Sequence, residues 1–123
     1  GFTLIELIVI IVILGILAVT AIPKYVDMKD EAEVAAVKGV AGALESALAI
    51  NYAACALKGT ASADCTTVDN CSDAPGLLVA GLPSGWPEVA DTTALTADGQ
   101  TAACSVVNDN SVSAPFTIMG AGF

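Results

Sequence analysis

The chain contains no histidine and no arginine, and its only cations are Lys24, Lys29, Lys38 and Lys58. Lack of histidine removes the commonest general base and the commonest metal ligand. With neither residue type, no nucleophile–base pair can be assembled, so a catalytic site is not expected. Lack of arginine, against 13 acidic residues and a net charge of −9, leaves little cationic surface to displace counterions from phosphate. Nucleic acid is therefore not an expected partner. Aromatics are scarce, at 5%. Phe2, Tyr25 and Tyr52 would stand roughly 35–40 Å apart along one helix and cannot stack within a subunit. No cofactor or metal is expected from this composition.

What the chain does have is a long apolar run at its start, GFTLIELIVIIVILGILAVTAIP. From Leu7 to Val19 every side chain is apolar or Gly, and Pro23 ends the run. As a helix, Leu4 to Ile22 spans roughly 28 Å, about the thickness of a bilayer's hydrocarbon core. A membrane helix is expected. A signal peptide would show a basic leader, a shorter apolar core and a small-residue cleavage site. Here no basic residue precedes the run, and the segment continues into more helix, so the membrane reading is preferred. Glu6 does not fit a plain anchor. A carboxylate at membrane depth is costly and usually has a partner. The first lysine, Lys24, lies more than four turns away, so a partner on another molecule is expected. That points to assembly.

Helical spacing continues beyond Pro23. Val37, Val40, Ala41, Leu44, Leu48, Tyr52 and Cys55 recur every three or four residues, which predicts one helix from about Phe2 to about Leu57. That stripe is the expected packing face for a head domain. Asp27, Lys29, Asp30, Glu31, Glu33, Lys38 and Glu45 read as a solvated face, with Lys29 and Glu33 an i,i+4 pair of small value. Pro23 removes a backbone donor, so a kink or local break is expected near Thr20 to Ile22. Gly15 lowers helix stability by ~1 kcal/mol relative to Ala, which makes Gly15 to Pro23 a weak segment. Gly39 and Gly42 suit close packing against a neighbour.

Lys58 and Gly59 end the helix with a cation in the last turn and a glycine cap. Beyond Thr60 the composition turns polar. Leu77 to Ala80 reads as a short strand or one helical turn, and Pro83 to Pro87 as a rigid loop carrying the only Trp. Cys104–Val107 and Ser111–Met119 flank the turn Asn108-Asp109-Asn110 and read as a β-hairpin. The fold class is therefore α+β: a long helix whose second half packs on a small antiparallel sheet. Residues 1–24 form the apolar helix half. Residues 25–123 form the head, with an amphipathic helix half over 25–58 and loops and sheet over 59–123.

Cys55, Cys65, Cys71 and Cys104 suggest two disulfides and an oxidising compartment, and they allow three pairings. Zinc is disfavoured, since there is no CxxC pair and no His. So small a head cannot hold a large core, and its bridges should matter to stability. Asp64, Asp69, Asn70 and Asp73 form an acidic loop whose spacing does not match an EF-hand and which reads as solvated. Asn70-Cys71-Ser72 matches a glycosylation sequon formally, but a bridged cysteine at its centre argues against use.

Gly1, Phe2, Thr3, Leu4, Ile5 and Glu6, with Gly15 and Pro23 further along, resemble the processing site and N-terminal helix of type IV pilins and their pseudopilin relatives. The resemblance covers roughly the first fifth of the chain. It implies a peptidase that cuts between Gly1 and Phe2 and methylates the new amine. It also implies an inner-membrane pool of precursors, and assembly machinery that draws subunits into a helical filament of many copies. In that setting the amine of Phe2 meets Glu6, within a subunit or between neighbours, and the Gly15 to Pro23 stretch unwinds on assembly.

The segments NYAACA, NCSDAPGLLVAGLPSGW and AACSVV resemble the mannose-sensitive haemagglutinin subgroup of type IVa pilins. That similarity implies pairing of Cys71 with Cys104 and of Cys55 with Cys65. The function implied is a structural subunit of an extracellular surface fibre used for adhesion, motility or DNA uptake. The alternative is a pseudopilin of a type II secretion system.

Overall fold

A computed structural model describes residues 1–91 and 94–123. In chain order it contains a helix α1 (Leu4–Lys58), a short 3-10 helix (Cys71–Leu77), and strands β1 (Thr101–Val107) and β2 (Ser113–Met119). The strands pair antiparallel as a hairpin, with Cys104 opposite Phe116 and Val106 opposite Ala114. The architecture is α+β, and it forms two compact units, Gly1–Glu33 and Val34–Phe123.

In the second unit, the head, burial follows the helical stripe. Val37, Ala41, Leu44, Leu48, Asn51 and Cys55 are buried, and Val40 packs at the edge of the core. Facing them are the inward positions of the hairpin, Cys104, Val106, Ala114, Phe116 and Ile118, together with Val68 and Cys71. The alternating burial of β2 is that of a strand with one face on a core. Each fully buried Leu or Phe of this set contributes about 1.5–3 kcal/mol. Pro115 and Thr117 lie two apart on β2, so their backbone nitrogens share one side of the strand. The Thr117 N–H donates to Glu45 Oε1 at 2.9 Å. Pro115, which has no N–H, thus sits where no ladder bond is needed. Glu45 is not merely part of a solvated face: it ties α1 to the sheet.

The hairpin differs from expectation in its bounds. β1 begins at Thr101, ahead of Cys104, and the turn extends through Val112. Buried Asn108 causes the longer turn, accepting through Oδ1 from the N–H groups of Asn110 at 3.0 Å and Val112 at 2.8 Å. Leu77 closes the 3-10 helix, and a turn follows in which the Gly81 N–H donates to the Leu78 carbonyl at 3.1 Å. No strand forms there. α1 ends as its sequence requires: Gly59, at φ +84°, donates its N–H to the Cys55 carbonyl at 2.9 Å.

Disulfides join Cys55 to Cys65 and Cys71 to Cys104. The first is the middle of three ties that bind the returning chain to the end of α1. Asn51 Nδ2 donates to the Thr66 carbonyl at 2.7 Å, and Asn51 Oδ1 accepts from the Thr66 N–H at 2.9 Å. Beyond the bridge, Lys58 donates to Asp64 in an exposed ion pair. Residues 51, 55 and 58 fall at helical spacing, so the three ties line one side of the helix. The chain then pairs Val68 with Ala121 near the C-terminus. There Gly120 is required by close approach: a Cβ on it would stand 2.5 Å from the Ala97 carbonyl oxygen.

Candidate functional site

The first unit is the part of the chain whose chemistry its own fold leaves unused. The helix Leu4–Lys58 reaches a mean hydropathy of 3.0 over its most apolar 18 residues, none of them buried. Phe2 is 82% exposed, and the least exposed of the large side chains, Ile8 and Val9, are still at 46%. A helix that is apolar on every side is stable only inside lipid or inside other protein. By length and composition this one can cross a bilayer.

Glu6 lies in the first turn, and the structure corrects the expectation that it lacks a partner nearby. Its Oε2 accepts from the Thr3 N–H at 2.7 Å and from the Thr3 hydroxyl at 2.9 Å. The Glu6 N–H in turn donates to Thr3 Oγ1 at 3.3 Å. Thr3 is therefore the N-cap of α1 and Glu6 its third residue, a reciprocal capping box. The signal was in the sequence as Thr3-x-x-Glu6 ahead of an apolar run, but reading Glu6 only as a buried charge obscured it. A carboxylate there also faces the positive end of the helix dipole.

Gly1 and Phe2 precede the helix and are exposed. Gly15 lies inside it, with nothing within 4 Å of where a Cβ would stand. Pro23 lies inside it too, and of the kink or local break expected near Thr20 to Ile22 the break does not occur: α1 is continuous from Leu4 to Lys58. Proline removes a single i→i−4 bond, and the ladder on either side carries the helix past it. The Thr20 hydroxyl donates to the Leu17 carbonyl at 3.1 Å, a local bond of the kind that accompanies such adjustments in apolar helices. Lys29 and Glu33 form the expected i,i+4 pair at 4.0 Å.

The acidic loop of the head is occupied by structural work. Asp73 Oδ2 accepts from the N–H groups of Asp69 at 3.0 Å and Asn70 at 3.2 Å. Asn70 Oδ1 accepts from the Ser72 N–H at 3.0 Å, so the pair caps the 3-10 helix. Lys58 beside Asp64 holds that carboxyl below the ordinary aspartate value, chiefly by hydrogen bonding and then by charge. Sequence reasoning missed Asn51, whose amide clasps Thr66, because a lone Asn on an amphipathic helix carries no distinguishing signal.

Comparison of the chain with protein-family models, with curated proteins and with solved structures returned no match.

Proposed function

We propose that this chain is the structural subunit of a type IV pilus, held in the bacterial inner membrane by its apolar helix half and then packed by that half into the core of an extracellular filament. The observation that carries this reading is the fully uncovered aliphatic helix with Glu6 at its mouth, joined to a head closed by two disulfides. An ordinary anchor needs the aliphatic length but not the carboxylate. A filament subunit needs both: the aliphatics for cohesion between copies, and a polar group near one end to fix axial register.

Three steps follow. The precursor pool sits in the bilayer. Cleavage after Gly1 then leaves a positive amine at Phe2, four residues from Glu6. In the growing fibre that amine and the Glu6 carboxylate of a neighbour neutralise each other as the helices bury one another. The Gly15 to Pro23 stretch, weakened by both residues, is where the helix can lengthen to meet the filament's rise. The heads, with their excess of acid, form the outer surface.

The test is intact mass and N-terminal sequencing of fibres sheared from intact cells. The expected species is this chain as the dominant protein, beginning at methylated Phe2 and four mass units below its fully reduced value. Retention of the chain in the inner membrane, with none in sheared fibres, would overturn the proposal in favour of a pseudopilin of a secretion system.

A further inference from the structure

The two outer edges of the hairpin are unlike. The Gly120 N–H donates to the Gln100 carbonyl at 2.8 Å, and the Asn108 N–H to the Val112 carbonyl at 2.9 Å. With the register of the strands, these bonds place the even-numbered residues of β1 in the ladder. The N–H and C=O groups of Thr101, Ala103, Ser105 and Val107 therefore point outward. On β2 the outward positions include Pro115, which has no N–H, and Thr117, whose N–H is taken by Glu45. A proline and a charged side chain are what blunt an edge against further pairing. β1 has neither: its sequence, TAACSVV, holds no proline and no charge. Among the described residues its outward backbone groups bond to nothing. Thr101, Ala103 and Ser105 are small and exposed, so no bulky side chain shields the row.

A row of alternating donors and acceptors about 20 Å long is matched by another extended strand. Among the described residues the chain has two strands, and the edge of β2 is interrupted. β1 supplies the match, because it is complementary to itself. Consider two copies antiparallel about a two-fold axis, with Ala103 opposite Ser105 and Thr101 opposite Val107 of the other. Every outward N–H and C=O of both edges then faces a partner. Charge agrees. The chain carries a net charge of −9, yet no carboxylate stands on the seven residues that meet, and a basic strand would find none there to hold it. Asp98 and Asp109 lie beyond the strand ends; their repulsion keeps a single contact weak and makes it stronger in salt.

We infer that β1 pairs edge to edge with β1 of a second copy, antiparallel about a two-fold axis, joining two hairpins into one sheet. Subunits of one helical fibre are related by a screw operation, and a two-fold contact is not one. The pairing therefore joins heads of separate fibres, where many weak contacts act together. That consequence rests on the filament reading above; the pairing itself does not.

The test uses the full chain carrying Ser105→p-benzoylphenylalanine, as a mixture of 14N- and 15N-labelled copies, irradiated both in detergent micelles and in fibres. Ser105 is exposed and pairs through its backbone, so fold and edge tolerate the change. The expected product has twice the subunit mass, joins differently labelled copies, ends within Thr101–Val107, and forms in higher yield as salt is raised. Ala103→Pro and, separately, Thr101→Pro each remove an outward N–H and leave the β1–β2 ladder intact, as Pro115 does on β2. With Trp86 emission at the parent's value, crosslink yield should fall about tenfold or more, since each two-fold contact loses two bonds. Crosslinks ending elsewhere, crosslinks to a different polypeptide, no crosslink in either preparation, or an undiminished yield in both proline variants would overturn the edge assignment and leave the filament reading standing. Crosslinks within β1 in micelles, from a chain that forms no fibres, would overturn the filament reading and leave the edge pairing standing.

Discussion

Replacing Asn51 by Ala removes two hydrogen bonds at one stroke, to the Thr66 carbonyl at 2.7 Å and from the Thr66 N–H at 2.9 Å. Asn51 is 6% exposed, whereas Thr66 is exposed, so water reaches the backbone groups that are set free. The loss is therefore close to the net worth of two bonds, ~2 kcal/mol, rather than two full desolvation penalties. Asn51→Asp probes the same clasp by charge. The carboxylate still accepts from the Thr66 N–H but faces the Thr66 carbonyl with no donor, and only the protonated acid restores that bond. The folded state thus holds the proton more tightly than the unfolded chain, and the folded pKa is raised. Stability of the Asp variant is then highest below the unfolded value of ~3.9 and falls as pH rises through the folded one. Urea unfolding of the full chain in detergent micelles, followed through the half-buried Trp86 that packs on the core, reads both effects. An Asn51→Ala protein within ~0.5 kcal/mol of the parent, the scatter of ordinary surface substitutions, would refute the clasp. So would an Asn51→Asp protein with no dependence on pH.

The bridges should rank by the loops they close. Cys71 and Cys104 are 33 residues apart and Cys55 and Cys65 are 10. The chain-entropy model gives about 3.7 and about 2.7 kcal/mol respectively, so paired Cys→Ala replacement of the first should lower the urea midpoint more, and the reverse order would refute the model here. Lys58 lowers the Asp64 pKa, so that contribution is present above the unfolded pKa and lost as pH falls through the lower folded one. Asp64→Asn should lower the midpoint slightly at neutral pH, and the gap should begin to close near the unfolded value of ~3.9 and vanish only as pH falls below the lower folded one; a gap that persists once the carboxyl is protonated would refute the pairing. Gly120→Ala places a Cβ against the Ala97 carbonyl and should destabilise by about 1–3 kcal/mol; an unchanged midpoint would mean that the Ala97 backbone yields.

Where the sequence was legible, a strong period or a special residue stood behind it. The stripe from Val37 to Cys55 has the helical period, and Val37, Ala41, Leu44, Leu48 and Cys55 are buried as expected, while Val40 and Tyr52 are half-buried. Gly59 is the one residue that could take φ +84° at the end of α1 without strain. Asn108 marked the hairpin turn, though its extent to Val112 depended on two side-chain bonds that no local pattern announces. The 3-10 helix was missed because Cys71–Leu77 holds Pro75 and Gly76, which read as loop; its cap, Asn70 with Asp73, sat instead inside an acidic cluster. Asn51 and Glu45 were unreadable for a shared reason. Each pairs with a backbone group far along the chain, Thr66 and Thr117, and the chain path that brings those groups near leaves no trace in the residues beside them.

Glu6 was read for its charge, and its geometry adds a second role that bears on how the filament reading is tested. Loss of fibres in Glu6→Ala has two explanations, since that change removes the cap of α1 together with the carboxylate. Glu6→Gln separates them. A glutamine oxygen accepts from the Thr3 N–H and hydroxyl as the carboxylate does, and Gln is the accepted alternative at this position of a capping box. The two roles also need not compete, because both Thr3 bonds fall on Oε2, leaving Oε1 able to accept from an incoming amine. If the charge sets register between subunits, Glu6→Gln stays in the membrane, keeps its helix and loses fibres as completely as Glu6→Ala. If Glu6 serves only to start the helix, the Gln variant makes fibres at the parent's yield while the Ala variant does not. Fibre recovery by shearing, beside the membrane content of each variant, distinguishes the two, and parental yield from Glu6→Gln would remove the electrostatic step from the assembly mechanism.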